Sequence, residues 1–145
     1  MPSIAYQDLG HLMVNVCRLH HTRADQSMER IGLFRGQAFL LMILSQHDGM
    51  THSEIAEKLE ISPAATTKVI KRMERAGYLQ RQADPADERV SRVYLRDGGR
   101  ALIAEIERAF GKLNRMMFDG LSEPELERFR DLLAHMAANL QRYQP

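Results

Sequence analysis

The side chains with the plainest chemical use lie between residues 53 and 92. Ala64, Ala65, Thr67, Lys68, Lys71, Arg72 and Arg75 fall at spacings that place them along the outward side of one short helix. Small residues at its start would let that helix approach the floor of a groove. Thr67 and Lys68 could then reach base edges, and Lys71, Arg72 and Arg75 could reach phosphates. Ser62 opens the helix, and Ser53, on the preceding short helix, completes the candidate contact set. A second basic group follows. Arg81, Arg89 and Arg92 surround a loop that also carries Asp84 and Asp87. An arginine at the tip of such a loop suits the narrow minor groove, where negative potential is enhanced. Arg81, Asp84 and Asp87 would support it, the carboxylates accepting hydrogen bonds from loop amides or an arginine. The bland counterparts are a helical hairpin with a solvated basic face and a self-neutralising surface turn.

These residues need elements to hold them. Apolar residues at Leu9, Leu12, Met13, Val16, Leu19, Met28 and Ile31 recur at three and four, which predicts one long helix over about residues 4–31, ended by Gly32. A second helix is expected over residues 35–46, closed by His47-Asp48-Gly49. Thr51 or His52 precedes a short helix near residues 53–59. Ser62 is a good N-cap and Pro63 a good first residue for the next, which Gly77 stops. Ile55, Leu59, Ile61, Val69, Ile70 and Met73 make the inward side of this pair, and Ala56 is small where the two helices cross. The period then changes: residues 78–81 and 92–95 read as strands around a polar loop, a β-hairpin. A long helix follows with Asp97 as N-cap, and a last helix begins at Ser122. Its stripe of Leu126, Phe129, Leu132, Leu133, Met136, Leu140 and Tyr143 has no evident partner in so small a unit.

The expected fold is therefore mainly α with a small β-hairpin wing (α+β), a winged helix-turn-helix flanked by long N- and C-terminal dimerisation helices. Residues 1–145 form a single unit, with 35–96 the nucleic-acid-binding region and its helix-turn-helix and wing over about 51–96. Residues 1–32 and 97–145 form the helical dimerisation region. Long apolar stripes at both ends of one chain suggest packing against a second copy.

Composition agrees with this reading. Hydrophobic residues are 44% and charged residues 27% of the 145, a soluble globular balance. No apolar run is long enough to span a bilayer, and the first residues do not read as a signal peptide. A single cysteine, Cys17, allows neither an internal disulfide nor a cysteine-based zinc site. A cytoplasmic protein is expected. The net charge of +1 hides an uneven distribution: −2 over residues 1–67, +4 over 68–100 and −1 over 101–145. A central basic stretch with acidic flanks is the electrostatic footprint of a nucleic-acid binder.

The chain resembles the multiple antibiotic resistance regulator (MarR) family of winged-helix repressors over nearly its whole length. The resemblance is strongest at Leu59-x-Ile61-Ser62, at Thr66-Thr67-Lys68-Val69-Ile70-Lys71-Arg72-Met73-Glu74-Arg75-x-Gly77-Tyr78-Leu79-x-Arg81, and at Asp84-x-x-Asp87-Glu88-Arg89 leading to Val93-x-Leu95. Each piece is common, but their order and spacing are specific. The resemblance implies a homodimer held by its terminal helices, a recognition helix in the major groove of a double-stranded operator, and Arg89 as the wing-tip arginine in the minor groove. Two positions depart from the pattern. Glu88 stands where a second basic residue is usual, which makes this wing less cationic, and Asp97 stands where a threonine commonly starts the helix.

The resemblance also implies a site for a small aromatic or amphipathic effector between the helical and DNA-binding regions. Family ligands of this kind need a cation and an apolar cleft. His20, His21, Arg23, Phe34 and Phe39 are the candidates, with core and rim packing the plainer alternative. One branch of the family senses peroxides through an N-terminal cysteine, so Cys17, near Arg18 and His21, is a redox candidate. A small packing residue is its plainer role. The six histidines show no zinc-ligand spacing. No nucleophile elbow, phosphate-binding glycine loop or HExxH helix is present, so no enzyme activity, cofactor or metal is expected. The functional expectation is a sequence-specific DNA-binding transcriptional regulator, a ligand-responsive repressor that binds a pseudo-palindromic operator as a dimer. The alternatives are a cysteine-based redox regulator and a winged-helix module that binds another protein.

Overall fold

The computed structural model describes residues 4–145. Its elements run α1 (Tyr6–Glu29), α2 (Arg35–Gln46), β1 (Met50–Thr51), α3 (His52–Leu59), α4 (Pro63–Arg75), β2 (Leu79–Ala83), β3 (Ser91–Leu95), α5 (Asp97–Met117) and α6 (Glu123–Arg142). The mainly helical fold with a hairpin wing is as expected from the sequence. The chain divides into two units, Met1–Gly111 and Lys112–Pro145.

Three of the first unit's turns share one device. After α1, α3 and α4 the chain reverses through a left-handed residue, with two amides reaching back to the helix's last free carbonyls. Gly77 (φ +83°) ends α4, and the Gly77 and Tyr78 amides donate to Glu74 and Met73 at 3.0 Å each. Gly32 ends α1 in the same way. The turn between α3 and α4 places Glu60 there instead (φ +55°), with the Ile61 amide donating to the Ala56 carbonyl at 3.2 Å. A side chain in this conformation costs roughly 1 kcal/mol relative to glycine. Ile61, expected inside, is exposed, because it belongs to this turn and not to either helix face.

The core of the first unit gathers Met28, Leu40, Leu41, Leu44, Ile55, Ile70, Met73, Leu79, Val93 and Ile106, all fully buried. Leu59 and Val69 pack against it from partly buried positions. Thr66 is also buried, its hydroxyl donating to the Ser62 carbonyl at 3.0 Å. The sheet has three antiparallel strands in the order β1-β3-β2, one more than the expected hairpin. β1 pairs Met50 with Val93 and Thr51 with Arg92. Two residues are too few for alternation to mark a strand in sequence. β2 pairs with β3 from Leu79–Leu95 to Ala83–Ser91, two residues further toward the loop than expected.

Asp97 is the first residue of α5 and not its N-cap. The helix begins one residue earlier than expected, with the Arg100 amide donating to the Arg96 carbonyl at 3.0 Å, and the Asp97 carboxylate meets the Arg100 guanidinium at 3.3 Å. The close approach of this end to the sheet depends on Gly99, where an added Cβ would lie 2.4 Å from the Tyr78 carbonyl oxygen.

The N-terminal helix leaves most of its apolar stripe uncovered: Leu9, Leu12, Val16 and Leu19 are exposed, and Ala24 and Met28 alone are buried. In the second unit, α6 has no buried residue, and Phe129, Leu132, Leu133, Met136 and Leu140 are exposed. Glu125 accepts from the Ser122 hydroxyl at 2.7 Å and then from its amide at 2.8 Å, which holds its carboxyl below the usual range and fixes the start of α6. No helix among the described residues is long and apolar enough to cross a membrane.

Candidate nucleic-acid interface

The interface is built on α3 and α4, and both helices are capped by the residues their sequences suggest. Thr51 Oγ1 accepts from the Glu54 amide at 3.2 Å while Glu54 accepts from the Thr51 amide at 2.9 Å, a reciprocal capping box. Ser62 Oγ accepts from the Ala65 amide at 3.1 Å, and Pro63 follows at the first helical position. Capping uses the Ser62 oxygen as acceptor, so its O–H stays available to donate to a ligand. Ile70, Met73 and Thr66 anchor the inner side of α4. That fixes which residues face out. Ala64, Lys68, Lys71, Arg72 and Arg75 are exposed, Ala65 and Thr67 half-buried, and Ser53 is exposed on α3. The Thr67 hydroxyl donates to the Pro63 carbonyl at 3.0 Å, which partly commits it to the helix backbone. Among the described residues, Lys68, Lys71 and Arg75 form no ion pair. Arg72 differs, lying over the Phe34 ring at 5.6 Å from its centroid.

In the wing every expected cation has a carboxylate partner. Arg81 meets Glu74 of α4 at 3.0 Å, tying β2 to the helix behind it. Arg89 grips Asp87 with two bonds, Nε to Oδ1 at 3.0 Å and Nη2 to Oδ2 at 3.3 Å. The Asp87 Oδ1 also accepts from the Arg89 amide at 3.1 Å. The Arg89 side chain is nonetheless 91% exposed, so its cationic edge stands in solvent at the loop tip. Asp84 bonds the Arg92 guanidinium and the Ala86 amide. Arg92 also donates to the Gly49 carbonyl at 2.9 Å, which fastens the wing to the start of β1.

These bonds hold both wing carboxyls below the usual carboxylate range. For Asp84 the Ala86 amide is the main cause and Arg92 the next; for Asp87 the Arg89 guanidinium leads and the Arg89 amide follows. The Asp84 contact raises the Arg92 guanidinium in turn. Arg92 was expected beside the loop, but not as the residue that joins the wing to two other segments. That role depends on β1, which the sequence does not announce.

Two clefts adjoin the interface. One of about 330 Å³ lies between the start of α3 and the wing and is lined by His52, Ser53, Arg81, Arg89 and Ser91, among others. The other, about 340 Å³, lies between the start of α2 and α4, where Phe34 and Val69 form walls and Lys68 and Arg72 supply charge. Of the five residues expected around an effector, Phe34 alone lines this second cleft. His20, His21 and Arg23 lie on α1, where Arg23 bonds Gln26 at 2.8 Å, and Phe39 stacks on Phe110 at 6.2 Å. Neither of these two clefts gathers the five. Cys17 is exposed on α1, and the neighbouring Arg18 guanidinium bonds Asn15 at 2.8 Å.

A helix-turn-helix followed by an arginine-tipped wing defines the winged-helix class. The MarR family model matches residues 33–91. The repressor MdtR of Bacillus subtilis (strain 168) is 30% identical over 112 residues, covering 77% of this chain and 72% of that protein. The chain belongs to the MarR family. The regulator BilQ of Clostridioides difficile (strain CD3) is 21% identical over 85% of the chain and 83% of its own length. Among solved structures, the transcriptional regulator SlyA is 26% identical with a TM-score of 0.77, covering 92% of this chain and 94% of that one. A cysteine-to-serine variant of MarR from E. coli, complexed with operator DNA, shares the fold at 22% identity with a TM-score of 0.76, over 89% and 93% of the two chains.

Proposed function

We propose that this transcriptional regulator is a repressor that binds a pseudo-palindromic operator as a homodimer. In this reading α4 enters the major groove and the wing enters the adjacent minor groove. The observation that carries it is the outward face of α4, where Lys68, Lys71 and Arg75 stand exposed and, among the described residues, without ion pairs on a helix whose other side is locked into the core. The operator-bound relative of the same fold supports this use of the surface. The uncovered stripes on α1 and α6 support residues 1–32 and 97–145 as the dimer-forming region around a DNA-binding region over 35–96. A two-fold dimer would present its recognition helices about one turn of DNA apart, roughly 34–36 Å.

Response to a small aromatic acid belongs to the same proposal. The cleft beside Phe34, Val69, Lys68 and Arg72 offers an apolar wall and two cations at the edge of the recognition face, a better-formed candidate than the α1 residues. Selection of binding sites from a random duplex pool with the full chain tests the central reading. An inverted repeat with half-sites one turn apart is expected. Enrichment of no sequence would overturn it.

A further inference from the structure

His52 occupies an unusual place for a titratable side chain. It is the first residue of α3, half-buried, and its Nε2 is closed off from solvent with no hydrogen-bond partner. The ring lines the cleft between α3 and the wing, together with the hydroxyl residues Thr51, Ser53 and Ser91 and the guanidinium residues Arg81 and Arg89. Among the described residues no carboxylate lines this cleft, although Arg81 and Arg89 are each paired with one outside the lining, Glu74 and Asp87. Two cations, three hydroxyls and an imidazole around one opening are groups of the kind that a phosphate diester takes. The opening also lies between the start of α3 and the wing, on the flank of the part proposed to enter the minor groove.

We propose that this cleft seats a backbone phosphate of the bound duplex and that His52 takes up a proton as the phosphate arrives. The inference rests on the DNA-binding reading above and adds a contact residue and a pH response to it. The charges that act on His52 come from three sides. Arg81 approaches from β2 and Glu74 from α4, and Arg89 of the wing lines the same cleft. On its own helix Glu54 is committed to the Thr51 amide, and Arg92, opposite Thr51 on β3, is paired with Asp84. In the free protein, burial first and the Arg81 charge second hold the imidazole below its ordinary range, with Glu74 opposing them. A phosphate in the cleft adds negative charge, which raises the imidazole pKa in the complex. Binding then takes up protons, and affinity increases as pH falls through the pKa of the bound form. Each unit by which DNA raises that pKa strengthens binding up to about tenfold at acid pH.

The test uses the full chain and a duplex selected by the wild-type protein, titrated by fluorescence anisotropy between about pH 8 and about pH 6 at constant ionic strength. Wild type should tighten several-fold on acidification, and His52→Gln should lose that slope whatever its absolute affinity. The other five histidines are unchanged in this variant, so a slope that survives it overturns the proposal. In parallel, the His52 ring is followed by NMR in the wild-type protein, free and DNA-bound. A higher pKa in the complex is expected, an unchanged or lower one contradicts the proposal, and this readout needs no variant to fold. If wild type binds the duplex with no pH slope, His52 coupling fails and the DNA reading stands. If wild type binds no duplex at any pH, the DNA reading itself fails and takes this proposal with it.

Discussion

The recognition helix and the wing are both basic surfaces, yet they hold their charge in opposite ways. On α4, Lys68, Lys71 and Arg75 project from a rigid helix with no anionic partner among the described residues. In the wing, Arg81, Arg89 and Arg92 are each matched to a carboxylate. The difference follows from backbone rigidity. A helix with a buried inner face presents side chains without further help, whereas a loop must be given a shape, and here Asp84 and Asp87 give it through arginines and amides. In the proposed function the helix therefore offers uncompensated charge for reading and gripping DNA. The wing offers one pre-oriented arginine, Arg89, at a much lower net charge, and Glu88 lowers it further.

That contrast can be broken in several places. The largest effect is expected from Lys68→Ala, which should weaken the preferred operator by roughly tenfold or more and relax the preference at one position of each half-site. Site selection on the variant checks it. Arg89→Ala should weaken binding by several-fold to about tenfold while leaving the melting temperature unchanged, since among the described residues the Arg89 side chain bonds Asp87 of its own loop alone. Arg75→Ala should weaken all sequences alike. It should also make the slope of log affinity against log salt shallower by about 0.9 for each phosphate that Arg75 neutralises in the wild-type complex, measured by titration at several salt concentrations.

The wing should also answer to acid differently from the helix. Asp84 and Asp87 are held below their ordinary range, so their contribution to wing order is fully present above the unfolded carboxylate range and disappears as pH falls through the lowered folded values. Amide exchange measured across the acid range should rise in residues 84–90 before it rises in α4. The smallest effect is expected from Glu60→Gly. It removes a side chain from the left-handed turn and should stabilise the fold by about 0.5–1 kcal/mol in denaturant unfolding, without changing sequence preference.

Much of this was legible in the order of residues. Ser62-Pro63 and Gly77 bracket α4 because capping and left-handed termination are local chemistry, and the stretch from Asp84 to Arg89 announces its loop through residue types that bond to nearby amides. What stayed hidden depends on distant partners. The short strand β1 exists only because Val93 and Arg92 lie beside it, and Arg92 becomes a fastening point only through the Gly49 carbonyl, 43 residues away. Arg81 reads in sequence as support for the wing loop, and only the fold sets Glu74 behind it. Of the effector candidates, Phe34 lines the cleft between the start of α2 and α4, and His20, His21, Arg23 and Phe39 do not. The cleft that does form takes one wall from α4, which spacing within α1 or α2 cannot reveal. His52 gives no sequence signal at all, since its setting is a product of β2, α4 and the wing together.

The most direct test of the central claim compares the full chain's affinity for its selected duplex with that for a scrambled duplex of equal length, at about physiological salt. A regulator that reads DNA with α4 should prefer the selected duplex by about a thousandfold or more, with both affinities falling steeply as salt rises. Equal affinity for the two duplexes would contradict the account and leave the basic face of α4 with no reading role.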